Sequence, residues 1–145
     1  MADEDAKATV QRFWETLYTK DWDKLKTLLA PDAFYEDVPT PDSGAHGPEN
    51  IVKRLRIGLD PVVRFEHRSH RMVGEGNTVI LEHTEIWHFE TGESMTNRFC
   101  TVHEVEDGRI KLWRDYWDVN TMMAQLPKWF LERIAQHGEE EFADG

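Results

Sequence analysis

A chain of 145 residues holds one hydrophobic core with room for a cavity beside it, and a second domain is not expected. Its 17 Lys and Arg against 28 Asp and Glu give a formal net charge of -11, a field that repels phosphate backbones and anionic lipid, so nucleic acid and membrane partners are excluded. No apolar run approaches the ~20 residues that span a bilayer, and Met1-Ala2-Asp3-Glu4-Asp5 is acidic where a secretion signal is basic and then greasy; the expected address is the cytoplasm.

Val10, Phe13, Trp14, Leu17 and Tyr18 recur at helical spacing, which predicts an amphipathic helix from about Asp5 to Thr19. Trp22, Leu25, Leu28 and Leu29 repeat the pattern in a shorter helix that Pro31 stops. A short extended piece, Phe34 to Val38, follows. Gly47-Pro48-Glu49 then opens a third helix carrying Ile51, Val52, Leu55 and Leu59. From Val62 to Trp117 the pattern turns to four long strands, divided at Gly74-Glu75-Gly76-Asn77, Thr91-Gly92 and Asp107-Gly108, all of which favour hairpins. Trp129, Phe130, Leu131 and Ile134 after Pro127 predict a short last helix, with the acidic residues from about 138 to 145 fraying. Helices first and strands afterwards imply an α+β fold, helices covering one face of an antiparallel meander.

Side chains alternate along a strand, so Val79, Leu81, His83, Glu85, Trp87 and Phe89 share one face. A His and a Glu about 7 Å apart on an otherwise apolar face are costly to bury unless paired, and such placing moves pKa values toward neutrality. They could equally satisfy neighbours at a sheet edge. In the last strand Trp113, Asp115 and Trp117 share a face; Asp115 reads as a desolvated carboxyl, or as the structural partner of an arginine such as Arg98. Tyr35 and Asp37 project together from the early extended piece, though Asp37-Val38-Pro39 could be turn chemistry alone.

Other chemistries fit poorly. Cys100, the single cysteine, can form no internal disulfide and supplies no thiolate cluster; it is expected in the core. His67 and His70, three apart on a strand, face opposite ways and make no joint metal site. There is no GxSxG elbow, Walker loop or GxGxxG after a strand. Acid-base chemistry on an uncharged substrate, without metal or nucleotide cofactor, is what the residues leave.

The helices-then-meander order, Phe34-Tyr35-Glu36-Asp37-Val38-Pro39, Leu81-Glu82-His83-Thr84-Glu85 and the run Trp113-Arg114-Asp115-Tyr116-Trp117-Asp118 resemble limonene-1,2-epoxide hydrolases, within the SnoaL-like group of the nuclear transport factor 2 (NTF2-like) fold. The resemblance implies a cone-shaped, strongly curved, mostly antiparallel sheet covered by three N-terminal helices, a deep apolar pocket, and a homodimer paired through the open sheet face. In that family an Asp-Arg-Asp triad protonates the epoxide and activates water, which a Tyr and an Asn help to hold. By position Asp115 matches one triad aspartate and Tyr35 the tyrosine. His83 stands where the arginine is expected, Glu85 where the other aspartate is, and Asp37 where the asparagine is. Trp113, Trp117, Trp87, Phe99 and Leu81 are expected to wall the pocket around a small lipophilic substrate. Three functions stay open: an epoxide hydrolase; a cofactor-free lyase, dehydratase or isomerase in which His83 and Glu85 shuttle protons; and a non-catalytic binding module.

Overall fold

The structure, a computed structural model, describes residues 2–40 and 42–142, with side chains as far as residue 137. Helix α1 (Ala2–Thr19) buries Val10, Phe13, Trp14 and Leu17, and sets Asp3, Glu4 and Asp5 in its first turn, where carboxylates meet unpaired backbone N–H groups. Helix α2 (Trp22–Thr27) is capped by Asp21, whose side chain accepts from the Lys24 N–H at 3.1 Å.

This second helix stops earlier than its leucine spacing predicts. Leu29 opens strand β1 (Leu29–Asp37), and Pro31 lies inside that strand rather than ending the helix. Pairing explains the difference: Leu29 sits opposite Ile110 and Phe34 opposite Leu112, with a slip in register across the stretch that holds the proline. A two-residue strand β2 (Ala45–His46) leads into helix α3 (Gly47–Leu59), which has a proline in its first turn. Strands β3 (Val62–Glu75), β4 (Thr78–Phe89), β5 (Ser94–Glu106) and β6 (Arg109–Tyr116) form the expected meander. Then come α4 (Val119–Met123), which the sequence reading missed, and α5 (Lys128–Phe142). The last helix continues past the point where fraying was expected; residues 143–145 of that expected tail lie outside the described residues.

The six strands make one curved mixed sheet in the order β2-β1-β6-β5-β4-β3. Every neighbouring pair is antiparallel except β1 and β6, which run parallel with Tyr35 opposite Trp113 and Asp37 opposite Asp115. The fold class is α+β, as expected. Helix α1 packs across β3 to β6 on the inner face, with Phe13 meeting Trp113 edge-on at 4.9 Å. The Trp14 N–H donates to His103 Nε2 at 2.9 Å, and His103 Nδ1–H donates to the Val79 carbonyl at 2.9 Å. That bond pair satisfies an imidazole that is otherwise wholly buried, and burial holds its pKa down at about 4. Cys100 is half-buried on the outer face rather than in the core, because even-numbered positions of β5 point outward.

Gly44 has φ +73°, and an added Cβ would lie 2.7 Å from the Tyr35 carbonyl oxygen and 2.9 Å from the Phe34 ring. Gly76 has φ +61° but open space around it. Gly44→Ala should therefore lower the thermal midpoint by several degrees more than Gly76→Ala, which carries only the left-handed penalty of roughly 1–2 kcal/mol. Equal losses in thermal unfolding followed by circular dichroism would show that the turn after β1 does not depend on this close approach.

Candidate active site

Along β4 burial alternates strictly through Val79, Leu81, His83 and Glu85, so the inward set is the one expected. In β6 the same holds for Trp113 and Asp115, while Arg114 and Tyr116 face out. A cavity of about 780 Å³ opens beside them. Trp87, Phe99, Trp113 and Trp117 line it from the sheet side, with Glu85 and Asp115 between them. Across it stand Leu55 and Leu59 of α3, and Met122, Phe130 and Ile134 of the two last helices. The C-terminal segment thus forms part of the wall, beside the expected cover of three N-terminal helices.

Leu81 and His83 do not line this cavity. The cavity reaches β4 at Glu85 and Trp87; the earlier part of the strand lies under α1, where Trp14 meets the His83 ring edge-on at 4.8 Å. The His83 imidazole stacks behind Phe99 at 3.8 Å and is 1% exposed. Its burial, with His67 and His103 nearby, lowers its pKa to about 2, so it is neutral.

Each carboxyl in the cavity is held by donors. Glu85 accepts from the Tyr18 hydroxyl and, at 3.0 Å, from the Trp87 indole N–H. Asp115 Oδ1 accepts from the Thr101 hydroxyl at 2.7 Å and the Trp113 indole at 2.9 Å. Arg98, the suggested partner of Asp115, is on the outer face of β5 instead. Burial raises both carboxyl pKa values above the ordinary range. For Asp115 the nearby Asp37 and Glu85 charges raise it further, and the hydrogen bonds offset part of this. The direction follows from cost: a low-dielectric chamber disfavours the charged form.

Beside Asp115, the Tyr35 hydroxyl lies 2.9 Å and 3.0 Å from the two Asp37 oxygens and 3.5 Å from Asp115 Oδ2. Asp37 also accepts from the Trp117 indole at 3.0 Å and from Arg54 at 3.1 Å. It is therefore part of a built cluster and more than turn chemistry. Arg54 was not foreseen; it also binds Asp42 at 2.9 Å, and its guanidinium lies 5.4 Å from the centre of the Tyr35 ring. Its position three after Ile51 and one before Leu55, on the buried stripe of α3, was the readable signal. Asn97 is the second residue missed. It pairs in register with Glu85, lines the cavity, and its inward place between Met95 and Phe99 follows from strand alternation. Tyr18 was placed on a greasy helix face, with its hydroxyl's partner unseen.

Among the described residues no group of three or more His, Cys, Asp or Glu is placed to hold a metal ion, and no helix is long and apolar enough to cross a membrane. His67 and His70 face opposite ways, as expected: the first meets His83, the second the outward Thr84.

The family model of the limonene-1,2-epoxide hydrolase catalytic domain matches residues 4–128. The chain is 33% identical over 121 residues to the epoxide hydrolase EphG of Mycobacterium tuberculosis (strain ATCC 25618 / H37Rv), covering 81% of this chain and 76% of that protein. A solved structure of an M. tuberculosis limonene-epoxide-hydrolase-like epoxide hydrolase superposes with a TM-score of 0.73 at 30% identity, covering 92% of this chain and 98% of that one. An NTF2-like protein of unknown function from Burkholderia pseudomallei K96243 superposes with a TM-score of 0.72 at 20% identity, over 83% of this chain and 96% of that one, and shows the shared fold. With the expected tyrosine and carboxyls gathered at one cavity of an NTF2-like cone, the chain belongs to the limonene-1,2-epoxide hydrolase family of hydrolytic enzymes.

Proposed function

We propose that the protein adds water to the epoxide ring of a small lipophilic molecule, in the cytoplasm and without a cofactor. The observation that carries this reading is the pair Glu85 and Asp115, two buried carboxyls on one wall of an apolar cavity. Two such groups cannot both ionise cheaply, so one holds a proton while the other is free to take one.

Asp115 stands beside Tyr35 and the Asp37–Arg54 cluster, which suits it to be the base; a water held there donates to the Asp115 carboxylate. Glu85 is then the acid. The water oxygen attacks an epoxide carbon, the C–O bond breaks, the water proton passes to Asp115, and the Glu85 proton goes to the departing oxygen to give a diol. The positive charge that the family carries on β4 is supplied here from α3, by Arg54. His83, with no place in the cavity wall, does not transfer a proton to substrate, which weakens the lyase or isomerase alternative. Trp87, Phe99, Trp113 and Trp117 suit a flat apolar substrate.

Pairing of two copies through the outer sheet face belongs to the same reading; Ile80 and Tyr116 are exposed there, 40% and 44% respectively. Size-exclusion chromatography with light scattering should give a dimer, and a monomer at micromolar concentration would remove this part.

Turnover of limonene-1,2-epoxide and styrene oxide in H₂¹⁸O should give diols carrying one labelled oxygen. Asp115→Asn and Glu85→Gln should each lose on the order of 10²- to 10⁴-fold in rate, the scale of one acid-base group. Losses within about twofold would assign the chemistry elsewhere. Treatment with a strong chelator and desalting should leave the rate unchanged; a loss restored by added metal would overturn cofactor independence.

A stability test has a definite sign. A carboxyl whose folded-state pKa is raised binds its proton more tightly folded than unfolded, so its burial destabilises the fold as pH rises above the unfolded value of about 4. Asp115→Asn should therefore unfold at higher temperature than the unsubstituted protein at pH 8, and the gap should close as pH falls toward 4. A gap that widens with acid would mean that Asp115 is held as a stabilised anion.

A further inference from the structure

Among the described residues nine polar or charged side chains are buried, and eight of them have hydrogen-bond partners. Asn97 is the ninth. Its side-chain amide bonds to no described residue, although Thr101 and His103, on the same inward row of β5, are each bonded on two sides. The amide is not sealed away, because no fully enclosed side-chain nitrogen or oxygen among the described residues lacks a partner. It opens on the cavity, which Asn97 lines at 7% exposure. Two N–H donors and a carbonyl acceptor are thus kept for whatever enters. An apolar ligand would strip water from them and return nothing, at the full desolvation cost of both groups.

Asn97 stands directly opposite Glu85 in the pairing of β4 with β5, and both side chains point inward. Residues opposed in this way carry their Cβ atoms about 4.5–5.5 Å apart. Glu85 is fixed in turn by the Tyr18 hydroxyl and the Trp87 indole. An oxygen that meets the Glu85 carboxyl therefore comes within reach of the amide beside it, at hydrogen-bond lengths of about 3 Å. The polar groups elsewhere in the cavity are already engaged: Tyr35, Asp37, Asp42 and Arg54 with one another, and Asp115 with Thr101 and Trp113.

We propose that the Asn97 side-chain N–H is a second donor to the epoxide oxygen, a catalytic contact made beside the proton of Glu85. This rests on the reading of Glu85 as the acid. An epoxide oxygen has two lone pairs; one meets the Glu85 proton and the other the amide N–H. As the water oxygen bonds to carbon, the electron pair of the breaking C–O bond moves onto the departing oxygen and the Glu85 proton transfers to it. Asn97 keeps its hydrogen throughout, and its bond strengthens as charge develops on that oxygen. A primary amide does not titrate in the working range, so this donor is present whichever carboxyl holds the proton. Two donors on neighbouring strands also set the direction in which the ring oxygen points.

Asn97→Leu keeps the size of the side chain and removes both donors. With whichever of limonene-1,2-epoxide and styrene oxide is turned over, the rate should fall by about 10²-fold, the lower scale of one oxyanion donor, and the loss should lie in kcat rather than KM. Asn97→Met repeats the test should the leucine variant not fold. A rate within about twofold, while Glu85→Gln loses its activity, overturns the contact and leaves the hydrolase reading intact. A Glu85→Gln variant that keeps its rate removes the acid, and the contact falls with it.

A second readout needs no turnover. Asp115→Asn leaves Glu85 and Asn97 in place but lacks the base, so styrene oxide can be titrated in unreacted. In ¹⁵N-labelled protein the Asn97 side-chain N–H₂ signals, identified by their absence from Asn97→Leu, should move downfield in ¹H with styrene oxide beyond any change that ethylbenzene causes. Ethylbenzene has the same carbon skeleton without the oxygen. Adding Asn97→Leu should weaken binding of styrene oxide and tighten that of ethylbenzene, whereas loss of a residue that only supported the wall would weaken both. Equal weakening of the two ligands, or amide signals indifferent to the epoxide oxygen, overturns the contact.

Discussion

Holding two carboxyl groups in one apolar chamber is the constraint around which the rest of this molecule is arranged. Each charge brought out of water costs several kcal/mol unless donors or an opposite charge answer it. Here the donors are mostly neutral: a tyrosine and a tryptophan at Glu85, a threonine and a tryptophan at Asp115. Neutral donors compensate only in part. Both groups stay above their ordinary pKa and keep the ability to exchange protons, which a tight arginine pair would suppress.

Among the described residues that line the cavity, the one guanidinium is placed accordingly. Arg54 answers Asp37 and Asp42, and Asp37 stands opposite Asp115 in the sheet. Asp37 is thus secured as an anchor for Tyr35 and Trp117. The parallel pairing of β1 with β6 makes this possible, because it sets Asp37 opposite Asp115 and stacks Tyr35 on Trp113 at 4.0 Å. An aromatic stack and a carboxyl pair meet there at a single register.

The three inward histidines show how differently one residue type is used. His103 is closed off at both nitrogens, by the Trp14 indole and a backbone carbonyl, and ties α1 to the sheet. His83 and His67 are linked instead to one another and to the hydroxyl that holds Asp115. Exclusion of His83 from the cavity follows from its neighbours: Phe99 covers one side and Trp14 the edge.

Much of this was legible in the chain itself. Alternation in the long strands assigned Glu85 and Asp115 to the inner face, since a period of two admits only two answers and the apolar residues choose between them. Glycine turns divided the meander correctly for the same local reason: left-handed backbone is cheapest at glycine, with Asp107 sharing the last turn with Gly108. The run from Trp113 to Asp118, with Tyr35 and Asp37, was enough to name the family. Where sequence reasoning failed, contacts distant in the chain decided. Leu29 joined a strand because Ile110 was there to pair with it, against its helical spacing. His83 and Leu81 shared the face of Glu85 but not its cavity, because α1 covers their part of the strand. Arg54, Thr101 and Asn97 lay on inward positions that periodicity marks, yet periodicity says only which way a side chain points. What it meets there depends on elements many residues away, and that juxtaposition exists only once the chain has closed around its core.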